Sequence, residues 1–188
     1  KEGQDMSIEK LLELKTKLTT VPDLETVVVC GIGETFLYKG LYEMMEEFRD
    51  YKIFLVTSGT VLIDYSLLDK CANIDMLVFS VDGTSEEAMK NICGKNYNFA
   101  NLMTNLDNYN RYKKIAKSKL KAIINTTVNP YNIDEIVNIM EFARKQRFTM
   151  VHYSLSWGNE EFVIQNLETL KNAFAEALKK AKRYGIYC

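Results

Sequence analysis

Five short apolar segments, each nearly continuous in hydrophobic residues, constrain the fold of this chain more than any other feature. Strands buried on both faces have this composition, whereas a strand with one solvent-facing side alternates apolar and polar residues. Helical patterns lie between the segments, and they supply the long crossovers that parallel neighbours need. The sequence therefore predicts an α/β fold built on parallel strands. The segments are 27–30, 53–57, 76–80, 122–127 and 149–153.

Capping patterns predict where several helices begin and end. Ser7 precedes a helical pattern over 8–18, and capping boxes are predicted at Thr84 with Glu87 and at Asn132 with Glu135.

The end of the chain carries a further helix and a possible strand. The last helix is expected at about 167–184, with basic residues in its final turn and Gly185 as its stop. Residues 186–188 resemble the first residues of another strand. Because the pattern starts with a helix and stops at a strand, we expect residues 1–188 to be one domain of a larger protein.

Composition and charge limit the classes of partner. With 188 residues, 47% of them hydrophobic, the chain is long enough for one globular domain. A formal net charge of −1 gives no electrostatic reason to expect nucleic acid or a membrane surface as partner. No apolar run approaches the roughly 20 residues that span a bilayer, and the N-terminal residues lack the apolar region of a signal peptide. We therefore expect a soluble, cytoplasmic protein.

The four cysteines are far apart in the sequence. They form no Cys-x-x-Cys or related spacing, which disfavours both a zinc site and a small disulfide framework. The sequence predicts no metal ligands in the chain and favours buried, reduced thiols at Cys30, Cys71, Cys93 and Cys188.

Each predicted strand ends in a group of small or polar residues. Ligands of parallel α/β folds bind at the carboxyl ends of the strands, so these groups belong together. Carboxylates at Glu34 and Asp82 suit an ammonium group or a pair of ribose hydroxyls, while hydroxyls and backbone N–H groups suit a carboxylate or an adenine edge. The combination predicts an amphoteric, nucleoside-like ligand. The strand ends are 31–35, 57–59, 80–83, 125–127 and 152–154.

The glycine-rich stretch after the first strand allows two functional interpretations. It is either a phosphate-binding loop or a turn that presents Glu34 to a cationic ligand. A dinucleotide-binding fingerprint needs a third glycine where Phe36 stands, and a helix that opens directly on the loop. The next helix is predicted only from about Gly40, which makes the phosphate loop the weaker interpretation.

Three of these strand ends, taken in order along the chain, carry a family resemblance. They read CGIGET (30–35), TSG (57–59) and FSVDG (79–83). Radical S-adenosylmethionine (radical SAM) enzymes are similar, with strand ends of the type Gly-x-Gly-Glu-Pro, Thr-Asn-Gly and Ser-x-Asp-Gly. The resemblance covers about 7–153 and is greatest to members with an additional C-terminal cluster domain of the SPASM type. It implies a partial (β/α)6 TIM-like barrel with parallel strands, of which this chain supplies strands two to six.

The resemblance implies a binding role for each strand end. Glu34 would accept hydrogen bonds from the α-ammonium of S-adenosyl-L-methionine, with Gly31 and Gly33 allowing close approach of the backbone. Other implied cofactor-binding residues are Thr35 in the same turn, Ser58 near the ligand, Ser80 and Asp82 at its carboxylate or ribose, and Asn125 near the adenosyl group.

The resemblance also implies a 4Fe-4S cluster, which passes one electron to the sulfonium of S-adenosylmethionine. The resulting 5′-deoxyadenosyl radical removes a hydrogen atom from a substrate, here an unknown peptide or small molecule. This sequence departs from the family at Thr35, which replaces a proline, and at Ser58, which replaces an asparagine. It also lacks the Cys-x-x-x-Cys-x-x-Cys segment that binds the cluster. We expect those ligands upstream of residue 1, and we expect the chain by itself to be inactive.

Simpler interpretations stay open beside this one. The chain could be a SAM-binding or interaction module without a cluster, or an unrelated phosphate-binding α/β barrel enzyme. His152, the single histidine, is more often a structural residue than a catalytic one. Trp157, beside Gly158, is a candidate for a substrate lid or a docking surface.

Overall fold

A computed structural model describes residues 5–68, 70–71, 73–156 and 158–188, and Trp157 lies outside these ranges. Five parallel strands form one sheet in which each strand pairs with its neighbours in the chain, in the order β1-β2-β3-β4-β5. This sequential order is that of a (β/α) barrel, so the predicted parallel α/β partial barrel is confirmed. The strands are β1 (Thr26–Val29), β2 (Lys52–Thr57), β3 (Ile74–Ser80), β4 (Lys121–Val128) and β5 (Met150–Leu155).

Eight α-helices accompany the strands in the described part of the chain, together with a short 3-10 helix at Thr35–Leu37 that the sequence did not predict. The first and last helices match the predictions, including the N-cap, because the Ser7 hydroxyl accepts from the Lys10 N–H at 3.4 Å. The helices are α1 (Ile8–Leu18), α2 (Leu41–Glu47), α3 (Tyr65–Leu68), α4 (Glu86–Cys93), α5 (Phe99–Ala116), α6 (Glu135–Lys145), α7 (Glu160–Gln165) and α8 (Leu167–Tyr184).

The two faces of the sheet have different surroundings. On one face every second residue of the central strands is fully buried, including Leu55, Leu77, Phe79 and Ile124. Helices cover a face of this kind in parallel sheets, which explains why the strands read as apolar runs.

The opposite face changes from apolar to polar along the strands. At one level Val56, Val78 and Ile123 are paired across β2, β3 and β4. One step closer to the carboxyl ends, Ser80 on β3 pairs with Asn125 on β4. This face therefore has an apolar floor and a polar rim, as a barrel interior with a ligand site at its mouth requires.

Two predicted helix starts are wrong. Ser85, not Thr84, is the N-cap of α4, since its hydroxyl accepts from the Ala88 N–H at 3.1 Å. Helix α6 begins after Asp134, and Asn132 instead donates its side-chain amide across the strand ends. Both caps were predicted from local spacing, whereas tertiary contacts decide these residues' partners.

The burial of the thiols was predicted correctly only for Cys71. Cys30, Cys93 and Cys188 are exposed. Cys30 lies just past β1 rather than inside it.

The C-terminal end follows its predicted pattern. Gly185 ends α8 in the left-handed conformation, with φ of 68°. Tyr187 then pairs with Met150 in a parallel bridge beside β5. None of the described helices is both long enough and apolar enough to cross a membrane.

Candidate functional site

Glu34 ties the end of β1 to the end of β2. Its Oε1 accepts from the Thr57 hydroxyl at 2.6 Å and from the Phe36 N–H at 3.1 Å. Its Oε2 accepts from Ser58 twice, from the N–H at 2.9 Å and from the hydroxyl at 2.5 Å. A carboxylate has about four acceptor positions, so the chain itself uses all of them.

Ser58 is equally committed within the chain. Its hydroxyl donates to Glu34, so the Thr60 hydroxyl at 2.8 Å is the donor in the contact between those two groups. The Thr60 N–H adds a second donor at 3.3 Å. One donor and two acceptor positions exhaust a hydroxyl. We call this arrangement, in which both donors of Ser58 meet one oxygen of Glu34, the first clamp.

The glycine loop in front of Glu34 is open to solvent. Gly31 and Gly33 are exposed, and a Cβ built on Gly33 meets no atom within 4 Å. Thr35 anchors the far side of the turn, since its hydroxyl donates to the Val56 carbonyl at 2.5 Å. A cavity of about 520 Å³ opens beside β1, and its lining runs from α1 to this loop and Glu34. Backbone groups of the loop are therefore accessible to a ligand.

Asp82 stands at the end of β3 in a different state. Its Oδ1 accepts from the Thr127 N–H at 2.7 Å, and no described residue donates to its other oxygen, Oδ2. Burial raises the pKa of this carboxyl above its ordinary value, although the Thr127 hydrogen bond opposes the rise. Asp82 thus combines a partly desolvated charge with a free acceptor position.

A second clamp holds the loop that follows Asp82. The Thr84 N–H and the Thr84 hydroxyl both donate to Oε2 of Glu135, at 2.8 and 2.7 Å. Asn132 supports the same loop, because its side-chain amide donates to the carbonyls of Asp82 and Thr127 at 3.1 and 3.0 Å. The end of β3 is thereby fixed to the segment after β4 without using the Asp82 carboxylate.

A polar row crosses three strands at the level of the rim. Ser80, Asn125 and His152 are paired in register across β3, β4 and β5. The Asn125 side-chain oxygen and His152 Nδ1 are 2.8 Å apart. His152 is exposed on this face. His152 therefore lies beside the candidate site residues, although the sequence motifs did not include it.

Three side chains that the sequence analysis missed hold the loop after β2. Tyr97, Asn101 and Asn105, spaced four residues apart, run along one side of α5 and the turn before it. They donate to the carbonyls of Ser58, Thr60, Gly59 and Val61 at distances of 2.7 to 2.8 Å. We call these three residues the α5 ladder. Its spacing of four is the one signal in the sequence that could have indicated a shared face.

The site residues suit an organic ligand better than a metal ion or cluster. Among the residues that the structure describes, no three His, Cys, Asp or Glu side chains are grouped as metal ligands. The described cysteines therefore do not form a cluster site. Asp82, Ser80 and Asn125, with the exposed glycine loop, supply the mixed donors and acceptors that an amphoteric ligand needs.

Known proteins resemble this chain in sequence and in fold. The GTPase Obg of Brachyspira hyodysenteriae is 23% identical over 183 residues, which are 94% of this chain and 26% of that protein. The chain therefore spans about a quarter of that relative's length. The present chain contains no Gly-x-x-x-x-Gly-Lys-Ser/Thr, the phosphate loop of P-loop NTPases.

Solved structures of SuiB from Streptococcus suis share the fold. SuiB bound to the precursor peptide SuiA has a TM-score of 0.71 at 13% identity, covering 96% of this chain and 42% of that chain. SuiB bound to S-adenosylmethionine has a TM-score of 0.62 at 14% identity, covering 84% of this chain and 36% of that chain. At these identities the likeness shows the architecture alone.

A family model places the sequence in a superfamily. The model described as the radical SAM superfamily matches residues 1–143, about three quarters of the chain. That range includes all three strand ends on which the resemblance rested. The chain therefore belongs to the radical SAM superfamily.

Proposed function

We propose that this chain is the SAM-binding part of a radical SAM enzyme, and that residues 1–188 form one partial-barrel domain of a larger parent. The observation that carries the proposal is the carboxylate of Asp82, which keeps one oxygen free at a strand end beside the polar row. A ribose hydroxyl pair is a fitting donor for that oxygen. Ser80 and Asn125 extend the same edge toward the remainder of the nucleoside.

Glu34 has a double role in this proposal. Its four hydrogen bonds fix the turn in which Gly31 and Gly33 present their backbone. Its negative charge also attracts the α-ammonium of SAM, because electrostatic attraction over a few ångströms needs no free acceptor position. Thr35 and Ser58 are part of the same fixed turn.

The parent protein would supply the cluster ligands that the described residues lack. In this family the cluster and SAM together supply reductive cleavage of a carbon–sulfur bond and hydrogen abstraction from substrate. The work of this chain is to bind and orient SAM at the rim. The structural neighbour with a bound precursor peptide supports a peptide as the substrate class.

Calorimetric titration with SAM tests the binding part of this proposal. We expect saturable binding to the wild-type chain and weaker binding to Asp82→Asn, with inorganic phosphate failing to compete. Binding of phosphate esters by a chain that does not bind SAM would instead favour a phosphate-binding barrel.

Anaerobic reconstitution of the full-length parent with iron and sulfide, followed by EPR of the reduced form, tests the enzyme part. A 4Fe-4S signal that changes on adding SAM is the expected result. SAM binding by a folded parent that yields no cluster signal would favour the second candidate, a SAM-binding module without a cluster. The lack of a metal-ligand group among the described residues is the observation behind that candidate.

A further inference from the structure

The loop after β2, residues 58–63, depends on the α5 ladder for its shape. The Tyr97 hydroxyl donates to the Ser58 carbonyl at 2.7 Å, and Asn101 donates to the Thr60 carbonyl at 2.7 Å. Asn105 has no exposed surface, and its side-chain oxygen accepts from the Ile63 N–H at 2.9 Å. Backbone groups that are shielded from water need such partners, so the ladder replaces the pairing that a regular element would give.

Close packing fixes the same loop sterically. Gly59 has φ of 71°, in the left-handed region that glycine occupies without strain. A Cβ at this position would lie 2.7 Å from the Leu102 side chain, on the same helix as the ladder. The loop therefore lies directly against α5 and has little freedom to adopt another path.

A series of hydrogen bonds joins Tyr97, through Ser58, to Glu34, which directly follows the glycine loop. The hydroxyl of Tyr97 holds the Ser58 carbonyl, and both donors of Ser58 hold Glu34. Glu34 in turn accepts from the Phe36 N–H in the turn after β1. A displacement of the Ser58 backbone would therefore move the carboxylate that fixes the turn.

The surroundings of Tyr97 keep its hydroxyl available as a donor. Tyr97 is 8% exposed. Burial raises the pKa of Tyr97, and nearby Cys93, Asp82 and Glu34 raise it further. The phenol thus stays protonated at neutral pH, so its hydroxyl can donate.

We propose that Tyr97 is a positioning residue of the SAM site: its hydroxyl, acting through Ser58 and Glu34, sets the glycine loop in the position that binds the ligand. This inference rests on the proposed SAM-binding function. It assigns no contact between Tyr97 and SAM. It also gives the segment between β3 and β4 a part in a site that motif reasoning places on the strand ends alone.

The test compares Tyr97→Phe with the matched control Tyr109→Phe. Tyr109 lies on α5, is almost completely buried, and donates its hydroxyl to the Leu120 carbonyl at 2.9 Å, next to the amino end of β4. Each variant removes one oxygen atom and one hydrogen bond to a carbonyl, and Tyr109→Phe also removes the acceptor of a 3.3 Å hydrogen bond from Lys113 Nζ. We therefore expect Tyr109→Phe to lose at least as much thermal stability as Tyr97→Phe, while only Tyr97→Phe touches the carboxyl edge.

The measurements are the SAM dissociation constant by calorimetry, the thermal midpoint, and amide hydrogen exchange of residues 58–63. We expect Tyr97→Phe to weaken SAM binding roughly five- to tenfold, the effect of one hydrogen bond, and to speed exchange at the Ser58 amide. We expect Tyr109→Phe to change neither. SAM affinity and Ser58 exchange that are the same in both variants would overturn the inference.

The two proposals fail in different ways. A wild-type chain that does not bind SAM overturns the proposed function, and the inference about the SAM site falls with it. Wild-type binding with a Tyr97→Phe variant that binds equally well overturns the positioning role alone. Slower or unchanged Ser58 exchange in Tyr97→Phe also counts against the inference, whatever the affinity.

Discussion

The two clamps of the carboxyl edge use the same chemistry for different ends. In each, a hydroxyl residue donates both its backbone N–H and its side-chain hydroxyl to one carboxylate oxygen: Ser58 to Glu34, and Thr84 to Glu135. At the first clamp the acceptor is the motif carboxylate itself, Glu34. At the second clamp the acceptor is Glu135, and the motif carboxylate Asp82 keeps one oxygen free.

The difference shows that two carboxylates at corresponding strand ends can have different hydrogen-bonding roles. Glu34 and Asp82 both follow buried strands, and sequence alone gives both as ligand-binding carboxylates. Counting their hydrogen bonds separates Glu34, whose acceptor positions are all used within the chain, from Asp82, which keeps one oxygen free. Four predictions, in order of decreasing effect, test that separation.

Glu34→Gln should be the most disruptive change. Each oxygen of Glu34 accepts two hydrogen bonds, so the amide of glutamine would point its N–H groups at two donors in either orientation. We expect a loss of about 2–3 kcal/mol in the free energy of unfolding, from lost charge-assisted bonds and unsatisfied donors, and loss of SAM binding. Urea denaturation and calorimetry measure the two effects. A variant of wild-type stability would show that the first clamp contributes nothing.

Asp82→Asn should separate binding from stability. The asparagine oxygen still accepts from the Thr127 N–H, and its amide occupies the free side. We expect the free energy of unfolding to change by less than about 1 kcal/mol, while SAM affinity falls roughly tenfold through loss of a charged acceptor. The comparison with Asp107→Asn, an exposed carboxylate on α5, controls for net charge. Unchanged SAM affinity would remove Asp82 from the site.

Glu135→Gln should cost little, in contrast to Glu34→Gln. Both Thr84 donors meet the same oxygen of Glu135, and one amide oxygen can accept both. We expect about 0.5 kcal/mol of destabilisation from the lost charge and SAM affinity within a factor of two, as judged by urea denaturation and calorimetry. A penalty equal to that of Glu34→Gln would erase the distinction between the clamps.

The ionisation of Asp82 should also change the free energy of unfolding with pH. Its pKa in the folded state is above the ordinary value of 3.8, chiefly through burial, so the folded state binds this proton more tightly than the unfolded state. The carboxyl's contribution to stability is then fully present below about pH 3.8 and is lost as pH rises through the folded pKa. The unfolding free energy of wild type minus that of Asp82→Asn should fall across this window and stay level above it. A difference that rises with pH would contradict the buried state of Asp82.

Much of the architecture could be predicted because local patterns determine it. The apolar segments became strands, α1 began after Ser7, and α8 ended at Gly185, as these capping residues predicted. The strand-end rule also brought Ser80, Asp82 and Asn125 to one edge. These features depend on hydrophobic periodicity and on the direction of parallel strands, and both can be inferred from the order of residues in the sequence.

The hydrogen-bond partners within that edge could not be predicted. Thr84 has the spacing of a capping residue, yet its partner Glu135 is 51 positions away in the sequence. Likewise, Asn105 reads as a polar helix residue but is completely buried among loop carbonyls. Such choices follow from packing between distant segments, so a single sequence carries no local signal for them.

The position of the α5 ladder has a consequence for the entropy of the chain. The connection from β3 to β4 carries two helices, α4 and α5, whereas the connections from β2 to β3 and from β4 to β5 carry one each. Doubling the length of a flexible connection adds only about 0.6 kcal/mol to the entropic cost of closing it. A long connection between two strands thus adds little to the entropic cost of folding. Here the connection from β3 to β4 supplies the α5 ladder, which holds the loop after β2.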